Sequence, residues 1–513
     1  MRILHISDTH VGPRSSFNQL SLFTIIKEIR EEEFDVVIHT GDLTQNGTVE
    51  EYEKAMNIFS SVKTPVVFMP GNHDSRAGGL DLFERMVGPC NGVTDIGDAI
   101  IIHVNSAFED GNEGRVGMIK FNMIRDALKR YSNKPIKVLA MHHHIIPVPS
   151  SGRERNILQN AGDILDLIIK DDVDLVLSGH RHYPNLYQIE NTVFLNAGTS
   201  SGTKTHWGDV NSRNIIEFNG NEQRIITRRI GRQDETQVLP RKDKRIYSHF
   251  GKRILRAIHM SNTHVSDTSA FLEVQFRNAM RKIVQLEPDI IIHCGGVVRE
   301  GIPLNYDMAD RLFSDSNIPI IFSPAGRDIN YLGYHLFEQH LGPFEQEFSD
   351  GEVLFLGLYS PQYDSSSGVI GTRERKALKD RLASVEERTK IVFFHHNVLP
   401  IPHSREKGLL EDSGDVLRAL VDSDVDMVLT GTSSHPHAAR VNETIIVNAG
   451  SLSSPYQRSL FGNSFNLIDI YEGAIAISEV NSLWGHRRLL GIWDRRRAPA
   501  PFGVNPPAYR TSS

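Results

Sequence analysis

The chain is written twice, and that repetition constrains its fold more than any other feature. ILHISDTHV (3–11) returns as AIHMSNTHV (257–265), VVIHTGDL (36–43) as IIIHCGGV (290–297) and DLFERMVGP (81–89) as HLFEQHLGP (335–343), each 254 residues on. AMHHHIIPVP (140–149) matches FFHHNVLPIP (393–402), VDLVLSGH (173–180) matches VDMVLTGT (425–432), and FLNAGTSS (194–201) matches IVNAGSLS (446–453), with the offset drifting to 253 and then 252. Six collinear blocks imply tandem copies of one domain. A chain of 513 residues requires such a division, because single hydrophobic cores stop growing near roughly 250–300 residues.

Within each copy, short β-branched runs alternate with longer amphipathic stretches: RILHIS, then 16–33, DVVIHT, then 47–62, and PVVFMP. Strands alternating with helices predict α/β layering. NIIEFNGNEQRIITRRI (214–230) reads as a closing hairpin around Asn219-Gly220, and SFNLIDIYEGAIAISEV (464–480) repeats it. The expected organisation is a domain at 1–231, a charged linker at 232–252 without apolar periodicity, a second domain at 253–493, and a Pro- and Arg-rich disordered tail at 494–513.

Composition narrows the function. With 39% hydrophobic and 23% charged residues and no apolar run near the ~20 residues a membrane span needs, no membrane association is expected. A formal net charge of −7 gives no electrostatic footprint for nucleic acid, which is therefore a disfavoured partner. The opening MRILHISDTHVG lacks the regions of a signal peptide, and only Cys90 and Cys294 are present, so a cytoplasmic location is expected. The 23 histidines suit borderline metals.

Five polar clusters in the first copy fall where strands should end: Asp8-Thr-His10, Gly41-Asp42, Gly71-Asn72-His73-Asp74, His142-His143-His144 and Gly179-His180-Arg181-His182. In α/β sheets the carboxyl ends of strands line the ligand crevice, so these segments should converge. Two divalent ions ~3.5–4 Å apart need a bridging carboxylate and terminal N and O ligands, and Asp42 is the natural bridge. His142, the first residue after the strand KVLAM, is preferred over His143 and His144 for a single ligand position. Arg181 reads equally as a phosphate contact or a solvent-facing residue, Tyr52 with Glu50–Glu53 as an ordinary helix face, Asn196 with its AGTSSG as a turn, and His5, His39 and His103 as core or surface residues.

D-x-H, G-D, G-N-H-D, H and G-H-x-H, in this order, resemble the calcineurin-like metallophosphoesterase superfamily. GDLTQNGTVEEY, PVVFMPGNHD and HHHIIPVP are similar to its cyclic-nucleotide phosphodiesterase (class III) branch. The resemblance implies two four-layer α/β/β/α domains, each a β-sandwich flanked by helices. It implies Asp8, His10, Asp42 and His182 on a first metal, and Asp42, Asn72, His142 and His180 on a second, the ions being Mn, Fe, Zn or Co. A water activated between them would attack the phosphorus of a small phosphodiester, with a 3',5'-cyclic nucleotide first in order of preference, while His73, oriented by Asp74, assists the departing oxygen. Selectivity is expected from loops 106–118 and 148–158.

At the matched positions the second copy has Asn262 for Asp8, Gly296 for Asp42, Gly326 for Asn72, Arg327 for His73, Thr432 for His180 and Ser434 for His182, and keeps only His264 and His395. It is expected to be a degenerate domain without a metal pair, packed on the first as an intramolecular pseudo-dimer. Two alternatives stand beside the diesterase: a nuclease of the same superfamily, whose opening ILHISDTHVG also resembles the exonuclease branch, and a regulatory or scaffold protein, against which the complete ligand set argues.

Overall fold

The computed structural model describes residues 1–206, 208–241, 250–404 and 408–495. The apolar runs of the sequence become strands buried on both faces, as in Ala99–His103, Ile136–Ala140 and Thr192–Asn196, the pattern expected of sheets covered on both sides. The first two helices between them begin at side-chain caps. Asn18 accepts from the backbone N–H of Leu20 and Ser21 ahead of helix Gln19–Glu31, and Thr48 from that of Glu51 ahead of Val49–Phe59, each satisfying orphan donors of a first turn.

Three sheets result. One six-stranded sheet runs Glu235–Pro240, Glu222–Arg229, Ser212–Asn219, Arg2–Ile6, Val36–His39, Val66–Phe68; a second has the same order built from the other half, with Arg253–Met260 at the place of Arg2–Ile6. In the first sheet Arg2–Ile6 pairs in parallel with Val36–His39 on one side and antiparallel with Ser212–Asn219 on the other. The third sheet has twelve strands and passes through both halves, six from each, meeting where Asn185–Ile189 pairs antiparallel with His437–Val441.

Each half is thus a sandwich of a six-stranded sheet on six strands of the shared sheet, with helices outside both. Ile3, Val36, Ile38, Ile101, Val138, Leu175 and Ile216 fill the space between the sheets of the first half, and Leu255, Ile290, Ile292, Ile391, Met427 and Ile468 that of the second. Burying each such side chain contributes about 1.5–3 kcal/mol. The largest cluster lies under the outer helices of the twelve-stranded sheet and runs without a break from Ile124 and Leu165 to Leu378 and Leu417.

The halves meet reciprocally. Asp415 accepts from the Ser150 N–H at 2.7 Å and Asp163 from the His403 N–H at 2.8 Å; Asn442 accepts from Gln188 N–H and Glu190 from Arg440 N–H. Gly162 lies against the Ile401 carbonyl and Gly414 against the Val148 carbonyl. Each of these contacts appears twice with the partners exchanged, the signature of an isologous two-fold interface, here within one chain.

Two expectations need correction. The segment 232–252 is not linker throughout, because Glu235–Pro240 pairs along Glu222–Arg229 as an edge strand; its terminal proline suits an unpaired edge. The tail is ordered through Arg495, which donates to Thr389, and its remainder lies outside the described residues, as do 242–249.

Candidate metal centre

The ends of Arg2–Ile6, Val36–His39, Ile136–Ala140 and Leu175–Ser178 open on one point between the sheets. Backbone bonds lock the first two ends together, Asp8 N–H to Gly41 O and His10 N–H to Asp42 O, both 2.9 Å. The turns so formed hold Asp8, His10, Asp42, His180 and His182 at positive φ of 54, 48, 53, 70 and 52°. Such a backbone costs an L-residue of this kind about 1–2 kcal/mol, and strain of this sort collects where side chains must be aimed.

The seven predicted residues converge on two groups of nitrogen and oxygen atoms. In one, His182 Nε2 stands 3.1 Å from Asp8 Oδ1 and 3.1 Å from His10 Nε2. In the other, Asn72 Oδ1 stands 3.0 Å from both His142 Nε2 and His180 Nδ1. Asp42 faces both groups, its Oδ2 lying 3.8 Å from His10 Nε2 and 3.5 Å from His142 Nε2. Asp8, His10, Asp42 and His182 alone place their ligand atoms within 4.8 Å of one another.

The rings are aimed by carbonyls. His142 Nδ1–H donates to Thr40 O at 2.8 Å and His182 Nδ1–H to Lys204 O at 2.7 Å, which leaves each Nε2 lone pair turned into the site, the usual arrangement of a metal-ligating histidine. His143 is occupied by Ser106 and the Asn112 carbonyl, and His144 by Glu154 at 2.8 Å, so His142 is the one of the three that enters the cluster. Glycine is required at position 71, because a Cβ there would collide with the Asp42 carboxylate, and at 179, where it would collide with Ser7 and Asp8.

The electrostatics suit a cation. Asp8 Oδ1 and His10 Nδ1 are buried without a hydrogen-bond partner. Burial, then the neighbouring Asp8 and Asp74, push the Asp42 carboxyl up, while burial and adjacent imidazoles hold His10 and His180 well below the usual histidine range. Burial works to raise Asp8, and His182 with its neighbours more than reverses it. The lowered imidazoles of His10 and His180 beside two buried carboxylates are a good donor set for a borderline divalent ion. The residues present therefore fit the metals that the sequence motifs imply.

Beside the first group lies a cleft of ≈ 250 Å³ lined by His10, Ser16, Gln45, His73, His182 and Lys204. His73 is held by Gln45, its Nδ1–H donating to that carbonyl at 2.8 Å, and its Nε2 accepts from Arg76 at 3.1 Å. Burial first, and Arg76 against the raising effect of the Gln45 carbonyl, lower it to about 4. Asp74, expected to orient this ring, instead accepts from the N–H groups of Leu43, Thr44 and Gly71 and from the Thr44 hydroxyl, tying the two loops that carry Asp42 and Asn72.

Other expectations shift as well. Arg181 neither faces solvent nor enters the cleft: it is buried and bonded to Ser151 and the Arg153 carbonyl, which docks loop 148–158. Tyr52 is fully buried, its hydroxyl on Asp74 O at 2.9 Å. Asn196 is not a turn residue but the last residue of strand Thr192–Asn196, bonded to Ser178 and to the Tyr183 carbonyl, and the Thr199 and Ser201 that follow fasten the Asp8 and Thr9 carbonyls at 2.6 and 2.7 Å. Their only trace in the sequence is the recurrence of NAG-x-x-S in both copies. The carbonyls of Thr40, Gln45 and Lys204 have no sequence signature at all.

In the second half the same turns stand with different side chains. Asn262, His264, Gly296 and Ser434 keep positive φ of 53, 52, 71 and 51°, and Asn262 and His264 N–H still donate to Gly295 O and Gly296 O at 2.9 Å. Asn262 turns its amide to the Gly431 carbonyl at 2.6 Å, and no carboxylate replaces Asp42.

A helix-flanked sandwich with histidine and carboxylate ligands gathered at its strand ends defines a metal-dependent phosphoesterase. Residues 1–184 match the family model for calcineurin-like phosphoesterases. It is similar to a 3',5'-cyclic-nucleotide phosphodiesterase of Nostoc sp., 28% identical over 203 residues, 38% of this chain and 76% of that protein. The 3',5'-cyclic adenosine monophosphate phosphodiesterase CpdA of Escherichia coli is 27% identical over 196 residues, 36% of this chain and 70% of that protein. The DNA double-strand break repair protein Mre11 of Methanosarcina acetivorans is 25% identical over 296 residues, 53% of this chain and 45% of that protein.

Proposed function

We propose that the first half hydrolyses a small phosphodiester, with 3',5'-cyclic nucleotides as the leading substrate class, at a two-metal centre. Asp8, His10, Asp42 and His182 would hold one ion, and Asp42, Asn72, His142 and His180 the other. The observation that carries this reading is Asp42 Oδ2 standing between the two groups, 3.8 Å from His10 and 3.5 Å from His142. When bound, two divalent ions activate a water and neutralise charge on the phosphoryl oxygens.

The chain's own residues supply the rest. Thr40, Lys204 and the paired strand ends fix the ligand rings before substrate arrives, so little reorganisation remains. His73 is neutral at physiological pH, with its proton on Nδ1; Arg76 is the standing cation beside it and offers N–H donors toward charge developing on the departing oxygen. The Ser16, Gln45 and Lys204 walls of the cleft receive the substrate beyond the ester. None of the clusters offers an activated Ser or Cys, so direct attack by water is the supported route.

Residues 253–493 act as a domain without chemistry, standing where a second subunit would stand in a dimer and completing the twelve-stranded sheet. The two cysteines are both free and buried, which suits the reducing cytoplasm. No helix among the described residues is long and apolar enough to cross a membrane.

A nuclease is the second reading, favoured by the longer match to Mre11 and opposed by the net charge of −7. Purified chain loaded with Mn or Fe should be offered cyclic nucleotides, linear diesters, monoesters and single-stranded DNA. Fastest turnover is expected on cyclic nucleotides, and Asp42→Ala should lower it by about a thousandfold or more, the order of a lost multi-kcal transition-state contribution. Faster release from DNA would transfer the proposal to the nuclease, and an unchanged Asp42→Ala variant would end the two-metal account.

A further inference from the structure

The cleft beside the metal centre has a counterpart in the second half. There, ≈ 290 Å³ is enclosed by Asp267, Ser269, Arg299, Glu300, Pro455 and Tyr456. At the offsets of the repeat these are the positions of Pro13, Ser15, Gln45, Asn46, Thr203 and Lys204, five of which line the first cleft. The concavity has therefore persisted although the ligand residues behind it have been replaced.

Its charge has been rebuilt. Gln45 has become Arg299, and His73 has become Arg327. Neither guanidinium has an ion pair or a side-chain hydrogen bond to a carboxylate among the described residues. Arg327 stands at the repeat position of His73, which lines the first cleft; burial first and Arg299 second hold it below its ordinary value, with Asp328 and Glu300 opposing the shift. Two arginines at this end of the second half, neither held in an ion pair among the described residues, offer planar guanidinium forks that match phosphate oxygens.

Tyr456 stands where Lys204 stood. Its ring is 62% exposed, lines the cleft and lies under Arg299, 5.4 Å from the guanidinium carbon to the ring centroid. An exposed aromatic face beside an arginine is a platform for a flat ring. Asp267 and Glu300, both exposed on the lips, disfavour a doubly charged monoester and leave a singly charged diester as the best match.

We propose that the second half binds, without hydrolysing, a singly charged phosphodiester that carries an aromatic ring, with Arg299 and Arg327 on the phosphate and Tyr456 on the ring. The positive charge that two metals supply in the first half is supplied here by two arginines, which neutralise a phosphate and activate no water. The inference stands whether or not the first half hydrolyses cyclic nucleotides.

The test titrates 3',5'-cyclic AMP into the full-length, EDTA-treated chain by calorimetry. Saturable binding is expected, weakened at least about tenfold in Arg299→Ala/Arg327→Ala, retained in part by the Arg→Lys pair, and reduced by added salt. Both arginines reach the surface, and an unchanged urea midpoint in the double variant shows that the loss is not unfolding. Inorganic phosphate should bind more weakly than the diester. The proposal is overturned by absence of saturable binding into the millimolar range, by equal affinity in the double alanine variant, or by loss of binding in His10→Ala instead.

Discussion

The two halves share a backbone and differ in what the backbone presents. Asp8, His10, Asp42 and His182 in one, and Asn262, His264, Gly296 and Ser434 in the other, sit in the left-handed region at almost the same angles. The bolts are also the same: Thr199 and Ser451 fasten the Asp8 and Asn262 carbonyls, Ser201 and Ser453 those of Thr9 and Thr263, and Tyr52 and Tyr306 the Asp74 and Asp328 carbonyls. The strained turns are therefore imposed by strand-end pairing and hydroxyl bolts, not by a metal. Where no metal is to be held, the sequence has drifted toward Asn and Gly, which bear positive φ at lower cost.

The sharpest contrast is a compensated pair. Gly71 leaves room for the Asp42 carboxylate, and its counterpart is Ala325, a side chain admitted because Asp42 is there Gly296. Gly71→Ala should displace Asp42 and lower hydrolysis by about a hundredfold or more, with metal content falling in parallel. Ala325→Gly should leave hydrolysis unchanged and cost the fold no more than about 1 kcal/mol. Full activity in Gly71→Ala would mean that Asp42 has freedom the packing denies it.

Asp8→Asn moves the first half one step toward the second. It removes a charged ligand while keeping a residue that tolerates φ of 54°. Activity should fall about a hundredfold. Metal-free protein should be no less stable, because one of two adjacent buried carboxylates is gone, whereas metal should raise the melting temperature of the wild type and do little for the variant. A variant destabilised in the absence of metal would show that Asp8 has a structural role its counterpart lacks.

Acid should treat the halves alike. Burial lowers His5 to about 3 and His39 to about 4 in the first, and their counterparts His259 and His293 to about 3 in the second. These rings are neutral when folded and take up protons near pH 6.5 when unfolded. Their stabilisation is complete above that pH and declines as pH falls below it. Each should contribute a loss of about 1.4 kcal/mol by pH 5.5, read as a fall in urea midpoint of the metal-free chain. His5→Gln and His259→Gln should each remove a similar share of that slope. A flat profile from pH 7.5 to 5.5 would sink the account.

The site was largely legible because metal ligands are side chains of few types at strand ends, so Asp42, Asn72 and the G-H-x-H pair announce themselves. The shell around them was not. Thr40, Gln45 and Lys204 act through carbonyls, which every residue has. Asp74 and Tyr52 looked like an orienting carboxylate and a helix face, and both serve to tie loops. In the fold, alternation of strands and helices gave the layers, while Glu235–Pro240, ETQVLP, is too short and too little buried to stand out from the charged residues around it. The continuous twelve-stranded sheet was hidden for a similar reason: Ile189 and Val441, which join its halves, look like any other core residues.

That join offers the finest comparison. A Cβ at Gly162 would press on the backbone of Ile401 and Pro402, and one at Gly414 on that of Val148 and Pro149. Both neighbours are main chain and cannot rotate away, so relief requires the halves to separate slightly. Gly162→Ala and Gly414→Ala should each cost about 1–3 kcal/mol, the range for overpacking a closed contact. Because the contacts are reciprocal, the two costs should agree within about 0.5 kcal/mol. The double variant should cost less than their sum, since the first separation already relieves the second contact. Unequal single costs, or strict additivity, would show that the halves do not move as the rigid, two-fold related bodies their contacts describe.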